Sequence, residues 1–213
     1  MAGWKISKST MLYSLAPWVL QVSKNLRSII IWADVQDSHQ NIDVPDHISL
    51  WGLRLAICQP FQQYANVRPT RVLPGTQSPL RNCGEGDLDW VIIRENSEGE
   101  YAGQGGRSHQ GKAWETATEV SIFTRHGIQR LMRFAFETAQ SRPRKLLTVV
   151  TKSNAQRNGM VLWDEVAAEV ASEFPDVTVD KMLVDAMTTR MVLKPETLDT
   201  IVATNLVSCV AAK

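Results

Sequence analysis

Apolar positions along this chain change period several times, and each change marks a predicted element. Leu50, Leu53, Ile57 and Phe61 recur at helical spacing, with Pro60 placed to kink or end that helix. The run Leu88-Asp89-Trp90-Val91-Ile92-Ile93 follows a glycine-rich turn at Gly84 and Gly86 and predicts a buried strand. Residues 99–118, rich in Gly, Gln, Ser, His and Thr, have little apolar period and read as an exposed excursion or a β-arm reaching a partner subunit. Ile128, Leu131, Met132 and Ala135 then mark one face of a helix that Arg142-Pro143 closes. Residues 146–150 (Leu-Leu-Thr-Val-Val) predict a second buried strand. Trp163, Val166, Ala167, Val170 and Phe174 form the stripe of another helix, stopped by Pro175. Val177 and Val179 begin a third strand, and Thr200 to Thr204 a fourth. The Met and Trp side chains on these stripes are assigned to the core. Strands alternating with helices imply a layered α/β sandwich.

Composition narrows the function more by exclusion than by suggestion. A chain of 213 residues, 44% hydrophobic and 21% charged, suits a globular protein of one or two domains with a real core. Twenty-three basic residues against 22 acidic ones leave a net charge of +1, which makes no global field for nucleic acid or an anionic membrane. No basic stripe is interleaved with aromatics, so neither partner is expected. Cys58, Cys83 and Cys209 have no metal-ligand spacing and are odd in number, which argues against zinc or a disulfide framework and for a reducing compartment. The best candidate span, Ile29 to Trp32, is far too short for a bilayer. The first 33 residues carry Lys5, Lys8, Lys24, Arg27 and several serines with no acid before Asp34, a profile open to two readings: a mitochondrial presequence or an unrelated N-terminus. The expected location is cytoplasmic, with the mitochondrion as the alternative.

Candidate chemistry gathers in four clusters placed where strands are expected to end, the usual ligand-binding edge of an α/β protein. They are Tyr64 to Arg71, Arg94 to Tyr101 directly after the strand at 88–93, Thr151 to Asn154 after the strand at 145–150, and Val184 to Met187. Each alone reads as ordinary surface polarity; their order and spacing together do not. The signature Arg94-Glu95-Asn96-Ser97-Glu98 with Tyr101 seven residues after the arginine, and Lys152 two residues before Asn154, resemble the β-decarboxylating dehydrogenases, the family of isocitrate, isopropylmalate and tartrate dehydrogenases. The run Val44 to Gly52 and the block Pro74 to Leu80 look most like its tartrate dehydrogenase/decarboxylase and D-malate dehydrogenase branch. The resemblance covers residues 43–206 as a partial isopropylmalate dehydrogenase-like domain, between an atypical stretch at 1–42 and an unrelated tail at 207–213. It implies the layered α/β sandwich of that family, with the smaller domain largely present and the larger, cofactor-binding domain mostly missing.

What the resemblance implies about roles agrees with the chemistry of the residue types. A 2-hydroxy dicarboxylate needs planar, permanently charged forks, which arginine provides and lysine does not. Arg68 and Arg94 are then the carboxylate holders, Lys152 the base that takes the hydroxyl proton, and Tyr101 the acid that protonates the enolate after carbon dioxide leaves. Asp185 is implied as one ligand of Mg²⁺ or Mn²⁺, and Asn154 as a neighbour of bound NAD. Lys152 and Asp185 are implied to reach into a partner's site, so a homodimer is expected.

Three departures from the family pattern qualify this. Ten residues before Arg68, where the family often has a further substrate arginine, stands Cys58; Arg54, one helical turn earlier, is the candidate to replace it. The opening residues lack the family's strand and glycine-rich turn. Beyond Asn205-Leu206, the family's two further metal-binding aspartates and its NAD loop have no counterpart. A lone Asp185 does not hold a divalent ion against its hydration, so little or no dehydrogenase activity is expected of the chain by itself. Two alternatives stand beside a tartrate- or D-malate-type enzyme: a non-catalytic dimer partner of a full-length homologue, or isocitrate or isopropylmalate specificity.

Overall fold

The computed structural model describes residues 29–30, 55–81 and 83–211. Its strands and helices run β1 (Ile29–Ile30), β2 (Ala65–Arg71), β3 (Asp89–Glu95), β4 (Gly99–Ser108), β5 (Thr116–Ile122), α1 (Arg125–Ser141), β6 (Leu146–Thr151), α2 (Gly159–Ala171), β7 (Thr178–Leu183), α3 (Val184–Leu193), β8 (Thr200–Ala203) and α4 (Asn205–Ala211). Six strands form one sheet in the order β1-β2-β3-β8-β6-β7. Only the β2–β3 pairing is antiparallel; the others are parallel. The last strand in sequence, β8, lies between β3 and β6, and all four of its residues are buried, as expected of a parallel strand covered on both faces.

Period-two alternation sends consecutive residues of each strand to opposite layers. Ile93, Leu147, Val149 and Val202 meet α1 and α2 through Ile128, Leu131, Met132, Trp163 and Val166. Ile92, Val150, Ile201 and Ala203 face the other way, toward Met187 and Met191 of α3 and Val207 of α4. The Met and Trp residues assigned to core are there: Met132, Met160, Trp163 and Met187 are all 0% exposed. Local chemistry sets the helix ends. The Thr124 hydroxyl accepts from the Gly127 N–H at 2.9 Å to cap α1, and Arg142-Pro143 ends it because proline cannot continue the ladder.

Strands β4 and β5 form a separate two-stranded sheet, and every residue of β5 is exposed. The segment at 99–118 is therefore a β-arm. Its strands approach so closely that a Cβ on Gly105 would lie 2.3 Å from the Thr118 carbonyl oxygen, so only glycine fits there.

Several expectations need correction. The stretch at 64–71 is not a cluster at a strand end but the strand β2 itself, despite Pro69. Val91, opposite Pro69, donates its N–H to Asp199 O on the β8 side, so the ladder between β2 and β3 asks nothing of position 69. Arg94 lies within β3, which runs two residues beyond the expected end. Of the helix expected through Leu50 to Phe61, the described part is helical only over Ala56–Cys58, and Phe61 is 58% exposed, because the chain turns at Gln59-Pro60. Leu50, Leu53 and Arg54 lie outside the described residues. The cluster at 184–187 does follow directly on the end of β7, as expected, and it opens α3. Residues 207–211 continue α4, with Val207 in the core.

Candidate active site

Two groups of expected site residues emerge, one where the carboxyl end of β3 meets the amino end of the antiparallel β2, the other at the carboxyl ends of the parallel strands β6 and β7. In the first, antiparallel register sets Asn66 of β2 opposite Arg94 of β3 and Arg68 opposite Ile92, so Asn66, Arg68 and Arg94 share one face of the sheet. Asn66 Oδ1 accepts from Arg68 Nε at 3.0 Å. Arg94 is 0% exposed, and Asn205 Oδ1 accepts from its Nε at 2.8 Å. Its guanidinium carbon lies 5.5 Å from the centre of the Tyr101 ring. A buried guanidinium keeps its charge only where acceptors and aromatic faces replace water, and Asn205 and Tyr101 are such partners.

The remainder of the signature organises the turn between β3 and β4. Glu95 Oε1 accepts from the N–H groups of Asn96, Ser97 and Glu98 and from the Ser97 hydroxyl, at 2.7–3.1 Å. Burial pushes the Glu95 carboxyl above the ordinary carboxylate range, outweighing those hydrogen bonds and the nearby Arg130, which favour its charged form. Arg130 of α1 donates to Ser97 Oγ at 2.8 Å and lies 4.7 Å from the Tyr64 ring centre. The Tyr64 hydroxyl is also pushed up by burial, against the pull of Arg130. Glu98 accepts from the Thr124 N–H and hydroxyl, tying the turn to the start of α1.

The second group is Lys152 and Asp185, from the carboxyl ends of β6 and β7. They form an ion pair, with side chains 28% and 69% exposed. Pairs this open stabilise by only about 0–1 kcal/mol, so either partner is released at little cost. The Lys152 loop is well held: its carbonyl accepts from the Ala155 and Gln156 N–H groups, and the next hydroxyl, Ser153 Oγ, donates to Asp164 Oδ2 of α2 at 2.7 Å. Asn154 is exposed on the same loop. In one chain β8 separates the strand bearing Arg94 from the strand bearing Lys152.

Among the described residues no group of three or more His, Cys, Asp or Glu side chains is placed to hold a metal ion. Asp185 is thus a single contribution, and the described residues do not by themselves fit a divalent cation. Cys58 is 0% exposed and brings no charge where a further arginine was sought. A cleft of about 610 Å³ lined by Thr70, Arg71, Asp89 and Arg142, among others, opens at the other end of β2 and β3 and contains none of these residues. Sequence reasoning missed Asn66 and Asn205. Reading 64–71 as a strand would have put Asn66 beside Arg68, two residues away on one face. Asn205 meets Arg94 across 111 positions and has no local signal.

The isocitrate/isopropylmalate dehydrogenase family model matches residues 18–209. The chain belongs to that family. It is 78% identical over 164 residues to a probable tartrate dehydrogenase/decarboxylase of Agrobacterium vitis, covering 77% of this chain and 46% of that protein. It is 47% identical over 163 residues to the D-malate dehydrogenase [decarboxylating] of Escherichia coli (strain K12), covering 76% of this chain and 45% of that protein. The chain thus spans about half the length of the curated relatives it matches. Among solved structures it resembles the isocitrate dehydrogenase of Methylococcus capsulatus, with a TM-score of 0.69, 28% identity, and coverage of 97% of this chain and 56% of that one. This α/β sheet with its projecting arm is therefore the family fold, present in part.

Proposed function

We propose that this chain supplies substrate-holding and proton-transfer residues of an NAD-dependent oxidative decarboxylase of a small 2-hydroxy dicarboxylate, tartrate or D-malate. The observation that carries the reading is the grouping of Arg68, Arg94 and Tyr101 around Asn66 and Asn205, in a chain 78% identical to a probable tartrate dehydrogenase/decarboxylase. Arg68 and Arg94 hold and orient the two carboxylates. Lys152, once parted from Asp185 and having released a proton to solvent, accepts the 2-hydroxyl proton at Nζ as the free amine. Tyr101, beside Arg94, gives its phenolic proton to C3 after carbon dioxide departs. A nicotinamide would supply the hydride acceptor and Mg²⁺ or Mn²⁺ an electrophile if bound; Asn154 and Asp185 would be this chain's contributions to holding them. The reaction belongs in the cytoplasm, with the mitochondrion as the alternative location.

Arginines and lysine stand on strands separated by β8, which favours a site shared between two subunits, each lending Lys152 and Asp185 to the other. The partner is a second copy or a full-length homologue. With Asp185 the single metal-ligating carboxylate of this group among the described residues, little or no activity is expected of the chain alone. The test is to assay NADH formation from tartrate and D-malate with the chain alone and co-expressed with a full-length relative bearing alanine at the position matching Lys152. We expect little turnover alone and recovery in the mixture, lost again by about 10²–10⁴-fold when this chain carries Lys152→Ala. Ordinary turnover by the chain alone, or no recovery in the mixture, overturns the shared-site reading. Turnover of isocitrate or isopropylmalate in preference moves the specificity.

A further inference from the structure

The structure assigns to Asn205 the positioning of both Arg94 and the Tyr101 segment, a role that rests on the dicarboxylate reading above. Asn205 is 0% exposed and sits at the first position of α4, with one residue between it and the end of the inner strand β8. Its amide is used at both ends. Oδ1 accepts from Arg94 Nε at 2.8 Å, and Nδ2 donates to the Glu98 backbone carbonyl at 2.9 Å. One residue on, the Leu206 N–H donates to Glu100 Oε2 at 3.2 Å. The start of α4 is therefore stitched to Arg94 on β3 and to Glu98 and Glu100, which bracket the entry into β4 and immediately precede Tyr101.

The residue type follows from this geometry. Nε–H can only donate and a backbone carbonyl can only accept, so the bridging side chain must offer one acceptor and one donor on a short, rigid arm; asparagine does so. Aspartate keeps the acceptor but turns an oxygen toward Glu98 O. Alanine removes both the bond to the buried Arg94 Nε–H and the bond to the half-buried Glu98 carbonyl. Holding Nε sets the plane of the guanidinium, and holding the Glu98 carbonyl sets where β4 begins, so one amide controls the distance from carboxylate fork to tyrosine. A bidentate fork recognises a carboxylate only when its plane is correctly presented. Asn205 touches neither substrate nor cofactor in this role and acts through Arg94 and Tyr101.

The test uses the full chain labelled with ¹⁵N. Hydrogen exchange at the Arg94 Nε–H, tartrate affinity by calorimetry and melting temperature are compared for the wild type, Asn205→Ala and Asn205→Asp. In the wild type the Arg94 Nε–H should exchange slowly and tartrate should bind. Asn205→Ala should lose the slow exchange and weaken tartrate about tenfold, measured well below its melting temperature. If Asn205→Ala does not fold, Asn205→Asp decides: it should keep the slow Nε–H exchange yet weaken tartrate, because the link to Glu98 is broken. Equal exchange in wild type and Asn205→Ala, or tartrate affinity unchanged in the variants, overturns the positioning role. Slow exchange in a wild type that binds no dicarboxylate overturns the substrate reading while leaving the Asn205–Arg94 link in place, so the two failures are distinct.

Discussion

Glu95 sits inside the signature Arg94 to Glu98 yet works on the backbone. It is 2% exposed, and its Oε1 gathers three N–H groups and one hydroxyl from the three residues that follow it. Burial raises its proton affinity above that of an ordinary carboxyl. The folded state thus binds this proton more tightly than the unfolded chain, so the stability Glu95 contributes is complete below the ordinary carboxyl range. It is lost as pH rises through the elevated folded value. Glu95→Gln removes the titration while keeping an acceptor for the turn. Melting temperature measured from acid to neutral pH should therefore fall less with rising pH in Glu95→Gln than in the wild type. Parallel curves would mean that Glu95 does not titrate on folding. Lys152 and Asp185 are a contrast at the same scale: an exposed pair that holds little of the fold and is open to chemistry.

Helix α1 joins core to site. Its buried face packs on the sheet, while its first turn is locked to the signature turn through Glu98 and Thr124. Gly127, in that first turn, is the clearance for this lock: a Cβ there would meet Glu98 Oε2 at 2.3 Å and Cδ at 2.4 Å. Alanine normally gains about 1 kcal/mol over glycine inside a helix. Displacing Glu98 from Thr124 disturbs the capping turn, a class of loss worth about 0.5–2 kcal/mol, and the crowding adds to it. Gly127→Ala should therefore lower the urea midpoint despite the better helix former. A raised midpoint would show that Glu98 swings aside freely.

At the scale of the whole molecule the two sheets are unequal partners. The six-stranded sheet has helices on both faces, but the β4–β5 arm stands alone with Val120 50% and Ile122 40% exposed. A lone two-stranded hairpin is marginal in water and needs a covering surface. An arm from a second copy would supply one, and the shared site proposed above would require such a copy. Sedimentation equilibrium should give twice the 23.8 kDa chain mass, and replacing residues 103–118 with a short turn should give the monomer. A monomeric wild type would remove the second copy as the source of Lys152.

Apolar periodicity alone determined much of this protein. It located β6, β8, α1 and α2, the buried core of β3 and the Met and Trp residues of the core, because those elements are covered by packing that local pattern reports directly. The signature spacing marked Arg94, Tyr101 and Lys152, since short-range order of unusual residue types survives in one dimension, and the family resemblance added Asp185. Tertiary structure decided the rest. Pro69 hid β2 because a proline's tolerance depends on which neighbour its backbone faces, a property of register and not of local sequence. Asn205 acquired its place at Arg94 only when β8 entered the middle of the sheet beside β3, bringing together residues 111 positions apart. The division of Arg68 and Arg94 from Lys152 and Asp185 also follows from strand order, which the chain's periodicity does not encode.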